Sequence, residues 1–156
     1  MNTSKFNLFL ENARLLSDKL GIIPLLYGSL GLEHLTSEAL GADDIDILIP
    51  RVFITERWQE FKSVLEPQGY VLTDAHEHTF VRDGVACSYA DIEDLESFAG
   101  IRAEDIKMRE VNGVRFLLLS LEQYLAVYKR SSMDGYRVNV RQKKDADKIK
   151  FIESKL

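Results

Sequence analysis

Apolar residues recur at three- and four-residue intervals at Phe6, Phe9, Leu10, Ala13, Leu16 and Leu20, behind the capping candidates Thr3 and Ser4. This period predicts an amphipathic helix that stops at Gly21. Residues 22–27 then read as a short apolar strand with Pro24 near its start. The small pair Gly28-Ser29 follows, and residues 30–40 have helical composition. Further on, Ile45, Ile47 and Ile49 alternate with Asp44, Asp46 and Leu48. A strand with that alternation sends its isoleucines to one face and both carboxylates to the other. Pro50 ends it.

The next helix places Trp58, Phe61 and Leu65 on one face, with Thr55 as its expected cap and Pro67 and Gly69 at its end. From there the period shortens to two. Residues 70–73, 79–82 and 85–89 read as strands, and Asp83-Gly84 is a two-residue hairpin turn whose central positions both require positive φ. Asn112-Gly113 predicts a second hairpin, joining residues 107–111 to 114–118. Ser120 and Gln123 have capping-box spacing ahead of Leu121, Leu125 and Tyr128. A terminal helix is expected to bury the stripe Ala146, Ile149, Ile152 and Leu156. Together these elements predict one α/β (α+β) domain over residues 1–156, a small mixed sheet flanked by helices, with residues 120–156 as its helical C-terminal part.

Composition narrows the setting. An apolar content of 46% in 156 residues is enough for a sizeable core, and no apolar run is long enough to span a bilayer. The N-terminal segment lacks the contiguous apolar stretch of a signal peptide, so a cytoplasmic protein without a membrane partner is expected. Cys87 is the single cysteine, which excludes an internal disulfide and points to a buried structural thiol. The net charge of −5 is unevenly distributed: residues 1–128 carry 11 basic and 21 acidic side chains, residues 129–156 carry 9 and 4. A locally basic end beside an acidic body can attract phosphate groups, or it is simply the solvated face of a terminal helix. Lys129, Arg130, Arg137, Arg141, Lys143 and Lys144 are the reservoir for such contacts. Aromatic and basic residues are not interleaved as in nucleic-acid readers, so no nucleic-acid partner is expected.

The chemistry concentrates at two places. Two carboxylates one residue apart on a strand, Asp44 and Asp46, project side by side about 6–7 Å apart at their backbones, so both can reach one divalent cation. The same alternation also suits an edge strand that carries charge against aggregation. Upstream, a strand that ends in Tyr27-Gly28-Ser29 and opens a helix presents backbone N–H groups and a hydroxyl to an anion.

In order and spacing, Leu26-Tyr27-Gly28-Ser29 followed by the run from Asp43 to Ile49 resembles the signature of the nucleotidyltransferase superfamily. The resemblance covers residues 20–50 well. More loosely it reaches residues 124–128 and Lys144-Asp145 with Asp147, which look like the helical tail of the small antibiotic-type members. It implies a nucleotidyltransferase-like fold and a magnesium-dependent enzyme. Such an enzyme transfers a nucleoside monophosphate from a nucleoside triphosphate to a hydroxyl of a small-molecule or protein acceptor. By the same resemblance Asp44 and Asp46 are catalytic and hold Mg2+, Gly28, Ser29 and Lys144 bind the nucleotide, and Asp91 is the preferred third carboxylate. A displaced strand register would put Ser88 in that third place instead. The chain departs from the pattern at Leu30-Gly31-Leu32-Glu33, where many minimal members carry a basic residue. A non-catalytic nucleotide- or protein-binding member of the fold is the alternative. His76 and His78 share a strand parity that suits zinc but have no evident third ligand, and His34 is expected to pack against the sheet.

Overall fold

The structure, a computed structural model, describes residues 3–133 and 139–156, and the side chains of residues 139–143 fall outside the description. In chain order its elements are α1 (Thr3–Leu20), β1 (Leu25–Tyr27), α2 (Gly28–Thr36), β2 (Ile45–Ile49), α3 (Trp58–Leu65), β3 (Val71–Asp74), β4 (Thr79–Arg82), β5 (Val85–Asp91), α4 (Asp94–Ala99), β6 (Lys107–Val111), β7 (Val114–Leu118), α5 (Leu121–Ser132) and α6 (Asn139–Glu153). The strands form one mixed sheet in the order β3-β4-β5-β2-β1-β7-β6. β1 runs antiparallel to β2 and parallel to β7, and β2 runs parallel to β5. β1 and β2 are therefore central strands, and the charged face of β2 is not an edge.

Helices cover both faces. On one side Ile45, Ile47 and Ile49 join Leu26, Cys87, Tyr89 and Phe116 beneath α1 and α3, which contribute Phe9, Leu16, Phe61 and Leu65. On the other, Leu25, Leu48 and Leu119 pack against Leu95 of α4, Tyr124 and Val127 of α5, and Ile152 of α6. The alternation read along β2 thus separates two cores, each removing apolar surface from water. Cys87 is fully buried, and burial, with Asp44 and Asp46 nearby, pushes its thiol up to about 12. It is an inert packing group.

Local signals behave as their chemistry requires. Both hairpins turn through positive φ, at Asp83 and Gly84 and at Asn112 and Gly113. Ser120 and Gln123 complete a reciprocal capping box at the start of α5. Three expectations are corrected. Thr55 does not cap α3; its hydroxyl donates back to the Arg51 carbonyl at 2.9 Å, within a short 3-10 turn, and α3 begins three residues later. The helix expected over residues 30–40 starts at Gly28 and stops at Thr36, because Ser37 takes a left-handed conformation. In α6, Ile152 is buried, but Ala146 and Leu156 are exposed and Asp145 occupies the buried position instead.

Candidate functional site

β1 ends where α2 begins, so Gly28 and Ser29 form the first turn of that helix. The N-cap residue Tyr27 makes no side-chain cap hydrogen bond to this helix start, whose first N–H groups have no partner within the helix. Tyr27 pairs with Asp46 across the β1–β2 ladder, bringing the turn and the second aspartate together. The approach is close: a Cβ built on Gly28 would stand 2.6 Å from Asp46 Oδ2, and Gly28 has φ +67. Glycine is therefore required at this point both for its conformation and for its lack of a side chain.

Two buried side chains, Tyr124 and Glu33, hold the turn and its surroundings. The Tyr124 hydroxyl on α5 donates to the Gly28 carbonyl at 3.0 Å, and a Cβ on Gly31 would collide with that hydroxyl and with the Leu26 carbonyl. Glu33, within the Leu30–Glu33 stretch that lacks the expected basic residue, is buried and turned inward. Its Oε1 accepts from the Leu40 and Ala42 N–H groups at 3.1 and 3.5 Å. It anchors the segment that leads into Asp43 and Asp44, a structural role for which the local sequence held no signal.

These pieces surround one cavity of about 530 Å³. Its walls include Gly28 and Ser29, Asp44 and Asp46, the aromatic side chains Tyr124 and Tyr128, and Lys144 of α6. Gly28, Ser29, Asp44, Asp46 and Lys144, expected together from the sequence, are brought together. Arg137 lies outside the described residues, as do the side chains of Arg141 and Lys143.

Asp91 is not brought there. β5 runs parallel to β2 with Asp46 opposite Ser88 and Asp91 opposite Ile49, so Asp91 shares the isoleucine face. It also lies three residues further along the ladder, roughly 10 Å at about 3.3 Å per residue. Its carboxylate pairs with the Arg51 guanidinium, which also reaches Asp94 at 3.1 Å, while Oδ1 accepts from the Glu93 N–H at 2.8 Å. Asp91 and its hydrogen bond hold the Arg51 guanidinium above its ordinary value. This cluster ties the end of β2 to the start of α4 and is structural. In the register the fold adopts, Ser88 stands beside Asp46, its hydroxyl 2.8 Å from that of Thr79. Asp91→Asn is expected to lower the melting temperature while leaving any magnesium-dependent nucleotide stabilisation intact, a separation that thermal unfolding with and without ligand would test. Because Arg51 is half exposed, solvent screening keeps the loss modest.

The histidines lie elsewhere. His34 stacks on Phe6 with ring centroids 4.2 Å apart, and burial together with Arg109 pushes its imidazole down, so it packs as a neutral group. His76 is in an exposed turn, and His78 meets the Trp58 ring edge. Among the described residues no three His, Cys, Asp or Glu side chains gather as a ready cation cage. Asp44 and Asp46 are hard oxygen donors in a pair, and a magnesium ion completes such a set with water and substrate phosphate.

No family model matches the chain. The uncharacterized protein YnaI of Bacillus subtilis (strain 168) is 40% identical over 147 residues, covering 94% of each chain. The chain belongs to the YnaI family. For the fold, the solution structure of the antibiotic-resistance factor ANT(2'')-Ia superposes with a TM-score of 0.59 at 12% identity, covering 99% of this chain and 91% of that one. A nucleotidyltransferase-like protein from Paracoccidioides brasiliensis gives 0.58 at 17% identity, covering 94% and 73%. ANT(2'')-Ia in complex with adenylyl-2''-tobramycin gives 0.54 at 14%, covering 97% and 96%. This member of the YnaI family therefore has a nucleotidyltransferase-like fold, as the mixed sheet and the Gly-Ser turn imply. None of its described helices is long and apolar enough to cross a membrane.

Proposed function

We propose that the protein is a magnesium-dependent nucleotidyltransferase of the cytoplasm. It would bind a nucleoside triphosphate in the cavity between β1, β2 and α5–α6 and transfer the nucleoside monophosphate to a hydroxyl of a small-molecule or protein acceptor. The observation that carries this reading is the direct packing of the Gly28-Ser29 turn against Asp46, with Asp44 and Lys144 lining the same cavity. The known chemistry of the structural neighbours agrees with it: ANT(2'')-Ia was captured with an adenylylated antibiotic.

Each group has a physical task. The uncapped N–H groups at the start of α2 and the Ser29 hydroxyl hold phosphate oxygens at the positive end of the helix dipole. Asp44 and Asp46 hold magnesium, which supplies charge neutralisation on the triphosphate when bound. Lys144 adds a point charge for the outer phosphates. Tyr124 keeps the turn in place through the Gly28 carbonyl. In the reaction a bond would form between the acceptor oxygen and the α-phosphorus, the bond to the leaving pyrophosphate would break, and the hydroxyl proton would pass to water.

Lys144→Ala is expected to weaken triphosphate binding several-fold, with the difference shrinking as salt is raised, because an exposed lysine acts through a screened charge. Titration calorimetry at low and high ionic strength measures this. Ser88 in the place where the superfamily commonly has a third carboxylate favours a second reading, a domain that binds nucleotide without turnover. Pyrophosphate release in the presence of an acceptor separates the two, since both require the same nucleotide affinity.

A further inference from the structure

Neither core reaches one face of β3, β4 and β5. The ladders set Val71 opposite Val81, Val81 opposite Ala86, and Thr79 opposite Ser88, which stands beside Asp46. These five residues and Ala90 share the face of the aspartate, and Phe80, Cys87 and Tyr89 point to the other side, into the core under α1 and α3. Among the described residues, the second core takes strand side chains from β1, β2 and β7 and none from β3, β4 or β5. Val71 is 62% exposed, Ala90 is exposed, and Thr79, Val81, Ala86 and Ser88 are half-buried between neighbouring strands.

The composition of this face does not suit water. An antiparallel sheet with one solvated face usually carries polar residues there. Here four of the six positions are Val or Ala, two are hydroxyls, and none is charged. Asp74, at the corner, turns its carboxylate to the His76 and Glu77 N–H groups at 3.0 and 3.1 Å. A contiguous apolar surface rimmed by polar groups marks an interaction site. Without cations the face offers nothing to a nucleic-acid backbone. None of the six residues lines the cavity beside the Gly28-Ser29 turn, and an open sheet gives a small molecule no concave wall to enter. Three strands over five residues cover about 10 by 17 Å, roughly 170 Å². A stable dimer needs roughly 800 Å² from each partner, so the area fits an extended stretch of polypeptide instead.

We propose that this face docks the acceptor, an extended and uncharged segment of a protein that carries a serine, threonine or tyrosine. The proposal rests on the nucleotidyltransferase reading above and chooses a protein over a small molecule within it. Val71, Val81 and Ala86 take the segment's apolar side chains. Ser88, the next residue of β5 on this face, directs the segment's hydroxyl to the neighbouring Asp46.

The blocked peptide acetyl-Thr-Val-Ser-Tyr-Ser-Val-Thr-amide is the probe, and N-acetyltyrosinamide carries the same phenol without the flanking segment. Amide NMR shifts should show saturable peptide binding confined to β3, β4, β5 and the start of β2, with N-acetyltyrosinamide bound at least about tenfold more weakly. Val71→Lys, at an exposed edge position, should weaken the peptide several-fold and Val81→Lys at least about tenfold, because each seats a charge against apolar side chains. Both variants should keep wild-type affinity for magnesium nucleotide. No peptide binding, shifts confined to other elements, or unchanged peptide affinity in both variants would overturn the docking surface. A peptide that binds this face yet receives no label from a bound magnesium nucleotide would overturn its assignment to the acceptor. Peptide bound on this face by a protein with no magnesium-nucleotide affinity supports the surface and removes the nucleotidyltransferase reading alone.

Discussion

Replacing Asp44 and Asp46 together by asparagine should abolish magnesium-dependent stabilisation by nucleoside triphosphates and reduce any nucleotidyl transfer by at least about 10²–10³-fold, the cost typical of losing preorganised charge at a reacting centre. The fold should survive. Asp44 is exposed and Asp46 half-buried, and neither belongs to either hydrophobic core. Asparagine keeps the shape of each side chain and removes the negative charge that a hard cation requires. The variant should therefore show the wild-type far-ultraviolet spectrum and a similar melting temperature without ligand. A variant that still gains stability from magnesium nucleotide would place the metal elsewhere.

Gly28→Ala should be the most damaging single change at the site. The left-handed conformation at φ +67 costs an L-residue roughly 1–2 kcal/mol on its own. The added Cβ would also stand 2.6 Å from Asp46 Oδ2, so either the turn or the carboxylate must move. Both sit at the proposed phosphate and metal positions, and displacement of about 1 Å at a reacting centre can cost on the order of 10²-fold. The expected result is a melting temperature lowered by several degrees together with loss of nucleotide binding. Alanine at Gly21, where an added Cβ meets nothing within 4 Å, tests the backbone cost alone and should leave the site intact.

Where the information is local, the sequence is a good guide to this molecule. The isoleucine alternation of β2, the two hairpin turns and the Ser120 capping box each depend on residues a few positions apart, and each appears as expected. The Gly28-Ser29 turn and the Asp44–Asp46 pair were legible for the same reason. Asp91 was not, because its face and its distance from Asp46 are set by the pairing of β5 with β2 across the 35 residues between Ile49 and Val85, and parity within β5 carries no register. In α6 the apolar period placed Ala146 inside, whereas the helix turns Asp145 inward. Hydropathy cannot foresee a buried carboxylate.

The central claim, a magnesium triphosphate site at Gly28-Ser29 and Asp44-Asp46, is tested most directly by thermal unfolding of the wild-type protein. Each of the four common nucleoside triphosphates would be added with magnesium and, separately, with a chelator. A ligand at about a hundredfold excess over its dissociation constant stabilises the native state by about 2.7 kcal/mol, which is readily measured as a rise in melting temperature. The account predicts such a rise with at least one triphosphate, only when magnesium is present. An unchanged melting temperature with every triphosphate, or a rise that persists in chelator, would contradict it.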